Sequence, residues 1–168
     1  ELDLLSRIVL QTAKAVRSET QIGRNPVSVA YAAVSLAKKI FSDLNSKKAL
    51  LLGAGETISL VADHLTGQRI GQIAIANRTL TNAQNVAERF NADAMQLIDV
   101  ADRLAEFDVV IIPGGFGVRG TEGKLKTLQY CRENNIPTIG ICMGMQLMLI
   151  EYFKNVLSFE NATSTEYD

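Results

Sequence analysis

Cys142 stands between two glycines in the run Gly140-Ile141-Cys142-Met143-Gly144, where a short apolar stretch gives way to a helical pattern. A thiol on such a turn is placed as a nucleophile, and the amides of the following helix can lower its pKa. A nucleophilic thiol also needs a base, and the chain has one histidine, His64. His64 falls on a predicted helix about two turns past its start, or roughly 12 Å along the axis at about 1.5 Å per residue. Reactive groups of open α/β sheets gather at strand C-termini, so His64 is expected to point away from them as a surface or half-buried helix residue. Cys142 is therefore read as a nucleophile without its histidine, beside the plainer alternative of a small residue retained at a tight turn. Cys131 is expected to be a core or surface thiol. No metal site is expected.

A second turn carries a different chemistry. In "LLLGAGETI", Gly53 and Gly55 follow an apolar strand pattern directly. One glycine permits the tight turn and another lets a pyrophosphate approach the backbone, with the first amides of the next helix facing the anion. The third glycine of the usual dinucleotide fingerprint is Ile58 here, and a glycine-lined turn without a ligand is the plainer alternative. The next strand ends in Asn77, Arg78 and Thr79. An acidic residue at that place holds ribose hydroxyls in NAD sites. An arginine with two small hydrogen-bonding neighbours suits a 2′-phosphate instead, so the pattern favours NADP(H) over NAD(H). The alternative for Arg78 is a solvent-exposed loop arginine.

Regular elements must position these residues. Leu4, Leu5, Ile8, Val9, Ala13 and Val16 form a helical stripe over 2–17. Asn25 before Pro26 predicts a helix start, and Val27, Ala30, Tyr31, Val34, Ala37 and Phe41 give that helix one apolar face, ending near Asn45. Strands are then predicted at 49–52, 73–76, 94–97, 108–112 and 138–141. Helices are predicted at 56–65, 81–90, 99–105, 122–133 and 143–157. Apolar strands alternating with helices imply a doubly wound α/β fold with a parallel sheet in the order 3-2-1-4-5, a Rossmann- or flavodoxin-like three-layer sandwich with extra N-terminal helices. With 168 residues, 47 % of them hydrophobic, the chain can bury a substantial core as a single domain.

The bulk composition narrows the partners. A net charge of −1 lacks the basic footprint of a nucleic-acid binder. No apolar run reaches the length of a membrane span and no signal-peptide pattern precedes the first helix, so neither nucleic acid nor membrane is expected as a partner. Two cysteines make no disulfide framework and are expected as reduced thiols of a cytoplasmic protein. The sequence begins at Glu1 without methionine and ends in a polar tail, which fits an excised recombinant piece and equally a processed chain. The two front helices can pack on their own domain or on a second copy, as a homodimer.

"VRSETQIG", "PVSVAYAAVSLAKKIF", "LLLGAGETISLVADHL" and "IANRTLTNAQNVAERF" together resemble the NADP-binding domain of glutamyl-tRNA reductase, over about 1–108. The resemblance implies an NADPH site at Gly53, Ala54, Gly55, Glu56, Thr57 and Ile58, with Arg78 added, and it accommodates Ile58. In that family the catalytic cysteine and the tRNA-recognising surface belong to an N-terminal domain and the dimerising helices lie C-terminal, so neither is matched here.

From about 109 to 168, "IIPGGFGVRGTEGK", "ENNIPTIGICMGMQL" and "STEYD" resemble the glutaminase domain of CTP synthase, a class I glutamine amidotransferase. That resemblance implies that Cys142 corresponds to the nucleophile. It also implies that Gly114, Gly115 and Met143 lend amides to an oxyanion, and that Gly144, Met145, Gln146 and Glu166 contact glutamine.

Two resemblances meeting inside one predicted sheet lead to the expectation of a single hybrid domain. Its parts are 1–48 as helices, 49–108 as the Rossmann NADP-binding half and 109–168 as an amidotransferase-derived βαβα half. On that view it is an engineered fold chimera with no physiological reaction, able to keep NADP(H) binding. The alternatives are an NADPH-dependent oxidoreductase related to glutamyl-tRNA reductase and a glutaminase fragment using Cys142.

Overall fold

A computed structural model describes residues 2–20, 28–115 and 120–167. Helix α1 (Leu2–Glu19) follows the predicted stripe, yet Leu4, Leu5, Ile8 and Val9 are all exposed. Helix α2 (Val29–Ile40) starts at Ser28, whose Oγ accepts the Tyr31 N–H at 3.0 Å. The expected start at Asn25 and Pro26 lies outside the described residues. The helix stops before Asn45 because Phe41 is already extended. Ala30, Ala33, Val34 and Ala37 make its buried face, while Tyr31, expected there, is exposed.

The remaining elements alternate as the apolar runs require. They are β1 (Lys48–Leu52), α3 (Glu56–Gly67), β2 (Gln72–Asn77), α4 (Leu80–Phe90), β3 (Asp93–Gln96), α5 (Val100–Arg103), β4 (Val109–Ile112), α6 (Thr121–Glu133), β5 (Thr138–Gly140) and α7 (Met143–Asn155). The one short helix predicted at 99–105 divides into α5 flanked by single 3₁₀ turns at Leu97–Asp99 and Leu104–Glu106.

The five strands form one parallel sheet in the order β3-β2-β1-β4-β5. Register is set at the centre by Leu50, which lies opposite Ala74 on β2 and Val110 on β4. Strand residues alternate between two cores, as the period of two demands. On one face Ala49, Leu51, Ile73, Ile75, Val109 and Ile111 pack with α2, α3 and α4. On the other, Leu50, Leu52, Ala74, Val110 and Ile112 pack with Val100 and Leu104, with Leu128 of α6, and with Leu147 and Ile150 of α7. Ile139 of β5 and Ile141 just beyond it belong to the first core beside Ala49 and Leu51. The hydrophobic interior is therefore continuous across the stretches 49–108 and 109–168.

This division of helices defines where a cleft can open. The crossover from β1 to β2 runs through α3 on one face, and that from β4 to β5 runs through α6 on the other. Neighbouring strands β1 and β4 thus send their chains to opposite sides, leaving a crevice beyond their C-terminal ends.

Polar groups brace the periphery. Arg132 of α6 donates from Nε and Nη2 to the buried carboxylate of Glu151 on α7, the shortest bond being 2.8 Å. Burial alone would push the Glu151 carboxyl up, but the Arg132 bonds and the Asn155 amide hold it below the usual carboxylate range. Among the described residues no helix is long and apolar enough to cross a membrane.

Candidate functional site

The crevice between the ends of β1 and β4 is a cavity of about 420 Å³. Its floor is the turn from β1 into α3. Gly53 has φ +99° and its N–H donates to the Ala76 carbonyl at 2.6 Å, fastening the turn to β2. A Cβ built on Gly53 would stand 3.4 Å from Pro113 Cγ in the loop after β4. The backbone conformation and the close neighbour both favour glycine at this position.

Gly55 caps α3 without a side chain, and the helical ladder begins with the Ser59 N–H on the Gly55 carbonyl at 3.0 Å. The amides of Glu56, Thr57 and Ile58 precede that ladder and are the helix's free donors, the physical basis of an anion site.

Most residues singled out from the sequence meet here. Gly53, Gly55, Glu56, Thr57, Ile58, Asn77, Arg78 and Thr79 all line the cavity. Ile58 does so as a buried core residue, which accounts for an apolar side chain where the general fingerprint has glycine. Ala54 instead packs its methyl against the first core. The Asn77 side-chain amide donates to the Thr79 carbonyl at 3.0 Å, bracing the turn that carries Arg78. Arg78 is exposed and makes no ion pair or hydrogen bond with another described residue.

Sequence reasoning missed part of the wall. Asn82, Leu97, Pro113, Gly120 and Lys124 also line the cavity, as does Gly114, which was expected at an oxyanion of the second turn and not in this crevice. Lys124, on the first turn of α6, is half-buried, and burial pushes its ammonium pKa down. Its position four residues after Gly120, on the helix following β4, was the available signal. Residues 116–119 of the glycine-rich loop lie outside the described residues, so whether that loop closes over the crevice falls there too.

The second turn is built differently. Cys142 is the exposed N-cap of α7, with φ +53° and ψ −115°. A Cβ built on Gly114 would stand 3.1 Å from the Cys142 Cβ and 3.4 Å from its Sγ, so the β4 loop abuts the thiol. Gly144 packs on the Ile112 carbonyl so closely that a Cβ there would overlap it. Met143 is buried, Met145 exposed and Gly115 exposed.

The Ser164 hydroxyl donates to Gln146 Oε1 at 2.7 Å and accepts the Glu166 N–H at 3.3 Å, folding the tail back onto α7. Residues expected at an amidotransferase-like elbow are therefore neighbours. His64 is elsewhere: its Nε2 lies 3.3 Å from Ser28 Oγ and its ring meets Tyr31 edge-on, facing α2. Cys131 is buried, and burial pushes its thiol up against an opposing contact from Thr138.

Comparisons with known proteins bear on both turns. The family described as shikimate / quinate 5-dehydrogenase matches residues 35–116. The chain is 58 % identical over 110 residues to a glutamyl-tRNA reductase of Ectopseudomonas mendocina, covering 66 % of this chain and 26 % of that protein. It thus spans about a quarter of the length of the curated relatives it matches.

Among solved structures, glutamyl-tRNA reductase from Methanopyrus kandleri superimposes with TM-score 0.53 at 24 % identity, over 89 % of this chain and 43 % of that one. The glutaminase domain of Trypanosoma brucei CTPS with bound acivicin gives TM-score 0.51 at 26 % identity, over 73 % of this chain and 46 % of that one.

The expectation of an engineered chimera with no physiological reaction is corrected by these matches. Identity of 56–60 % to glutamyl-tRNA reductases over 103 to 110 residues is the finding that overturns it. The likeness to a glutaminase domain stands as that of a structural neighbour over 73 % of this chain.

Proposed function

We propose that this chain binds NADP(H) in the crevice between β1 and β4, as the cofactor-binding part of an NADPH-dependent reductase related to glutamyl-tRNA reductase. The observation that carries the reading is the make-up of the 420 Å³ crevice: free α3 amides behind Gly53 and Gly55, and Arg78 rather than an acid at the end of β2. Identity to glutamyl-tRNA reductases over 66 % of the chain supports the same cofactor.

The residues fit the group. The Gly53–Gly55 turn leaves room for a pyrophosphate against the α3 amides, and Arg78 suits the 2′-phosphate that separates NADP from NAD. Asn77, by bracing the turn, holds Arg78 toward the cleft, and Thr79 offers a hydroxyl beside it. NADPH supplies a hydride when bound; the chain's own residues bind and orient the dinucleotide. In this reading residues 1–48, 49–108 and 109–168 form one folding unit. The Cys142 turn, with Gly114, Gly115, Met143, Gly144, Met145, Gln146 and Glu166, is then a vestigial elbow that His64, turned toward α2, does not serve as a base.

Calorimetric titration tests the cofactor. NADPH should bind well above NADH, and Arg78→Ala should cost NADPH roughly 10- to 100-fold, the value of a charge-assisted phosphate contact. Equal binding of the two cofactors, or an unchanged NADPH affinity in that variant, would refute the assignment.

The exposed apolar residues of α1 support a homodimer through the N-terminal helices. Light scattering should show a dimer that Leu5→Glu converts to monomer; a monomer in the unmodified chain rejects the pairing.

A further inference from the structure

Among the described residues two cations, Arg78 and Lys124, line the crevice, and the reading above uses only Arg78. The other, Lys124, comes from the far wall. It sits on the first turn of α6, and its Nζ lies 3.6 Å from where a Cβ of Gly115 would be, so the side chain curls back over the loop that follows β4. Lys124 makes no hydrogen bond or ion pair with another described residue, whereas Lys126, on the same helix, pairs with Glu122 at 2.8 Å. A lysine withdrawn from water is ordinarily paired. Lys124 is half-buried, and no described residue around it supplies a counter-charge. Among the described residues lining the cavity the acidic one, Glu56, is exposed and forms no ion pair with it.

The opposite wall explains what such a charge would serve. The Gly53–Gly55 turn and the α3 amides face the crevice from the β1 side, and Pro113, which follows β4 directly, touches the space beside Gly53. An anion resting on the α3 N-terminus therefore lies between those amides and the loop over which Lys124 reaches. Arg78 stands apart from both, at the end of β2.

Resting on the cofactor reading above, we infer that Lys124 is a binding residue for the diphosphate of the dinucleotide, supplying the counter-charge from the wall opposite the α3 amides. The division of labour follows from position: Arg78 discriminates the 2′-phosphate, while Lys124 holds the group common to both cofactors.

Titrations of the unmodified chain, Lys124→Gln, Lys124→Arg and Arg78→Ala with NADPH, NADH and adenosine 2′-monophosphate test this. Lys124→Gln should weaken NADPH and NADH by the same factor, about tenfold or more. Adenosine 2′-monophosphate, which has no diphosphate, should bind it as before. Lys124→Arg should stay within about threefold of the unmodified chain, since the charge is kept. Arg78→Ala should weaken NADPH and adenosine 2′-monophosphate and spare NADH. Thermal melts of Lys124→Gln should show little loss of stability, because no hydrogen bond or ion pair with another described residue is removed.

Unchanged affinity of Lys124→Gln for both dinucleotides overturns the inference and leaves the cofactor reading intact. Equal weakening of adenosine 2′-monophosphate overturns it as well, by moving Lys124 to the adenosine side. An unmodified chain that binds neither dinucleotide removes the cofactor reading and this inference together.

Discussion

The turn from β1 into α3 and the turn from β5 into α7 are the same local device put to opposite ends. Each carries the chain from a strand C-terminus into a helix through a residue of positive φ, Gly53 at +99° and Cys142 at +53°. At the first the side chains are withdrawn, so that backbone amides meet a cavity. At the second a thiol is held out into solvent in a conformation that L-residues adopt only under constraint. Their places in the sheet differ as well. β1 is central and its neighbour β4 sends its helix to the other face, so a crevice opens beside Gly53. β5 is an edge strand with β4 on one side alone, and Gly114 fills the space against Cys142. The same turn makes a binding site only where the crossovers on either side diverge.

Exchanging the two residue types at these positions gives the sharpest break of that comparison. Gly53→Ala forces a Cβ onto a positive-φ backbone beside Pro113. It should cost about 1–2 kcal/mol of stability and weaken NADPH at least about tenfold by pushing the β4 loop off the turn. Urea melts and calorimetry measure both, and retention of full affinity would mean that the turn does not seat the cofactor.

The seating of α7 behind Cys142 is probed by pH. The Glu151 carboxyl is held below its usual range by Arg132 and Asn155 against the opposing effect of burial. A depressed folded pKa contributes stability above the unfolded value of about 4.3 and loses it as pH falls through the folded one. Urea midpoints taken from about pH 6 to about pH 3 should fall more steeply for the unmodified chain than for Glu151→Gln. Parallel curves would show that this pair does not hold the helix.

Cys142→Gly gives the smallest effect and the opposite sign from Gly53→Ala. Relief of the positive φ should raise stability by about 1 kcal/mol, with NADPH affinity unchanged. A loss of stability would show that the thiol packs on the β4 loop more than its backbone costs.

Much of this was legible from residue pattern alone. The strands announced themselves because both faces of the sheet are covered, so Ala49–Leu52, Ile73–Ala76 and Val109–Ile112 read as unbroken apolar runs. Gly53, Gly55 and Arg78 stood out because their types are costly or purposeless elsewhere. The misreadings have local causes. α2 was drawn too long because Phe41 continues the helical spacing, although its backbone is already extended and the side chain packs on the first core. The segment 99–105 was drawn as one helix because its apolar residues keep helical spacing, while 3₁₀ turns at Leu97–Asp99 and Leu104–Glu106 flank the short α5.

By itself, then, the order of residues determined the element types, the strand order and the glycine turn, because periodicity of two or 3.6 and the steric demands of single residues act over a few neighbours. The tertiary structure decided the rest. It placed α3 and α6 on opposite faces, opened the crevice between β1 and β4, turned Ala54 inward, and brought Lys124 to a wall whose floor is Gly53, far away in sequence. Such a meeting depends on where strands end and which way their crossovers leave. No short stretch of sequence carries that information, because it exists only once the sheet has assembled.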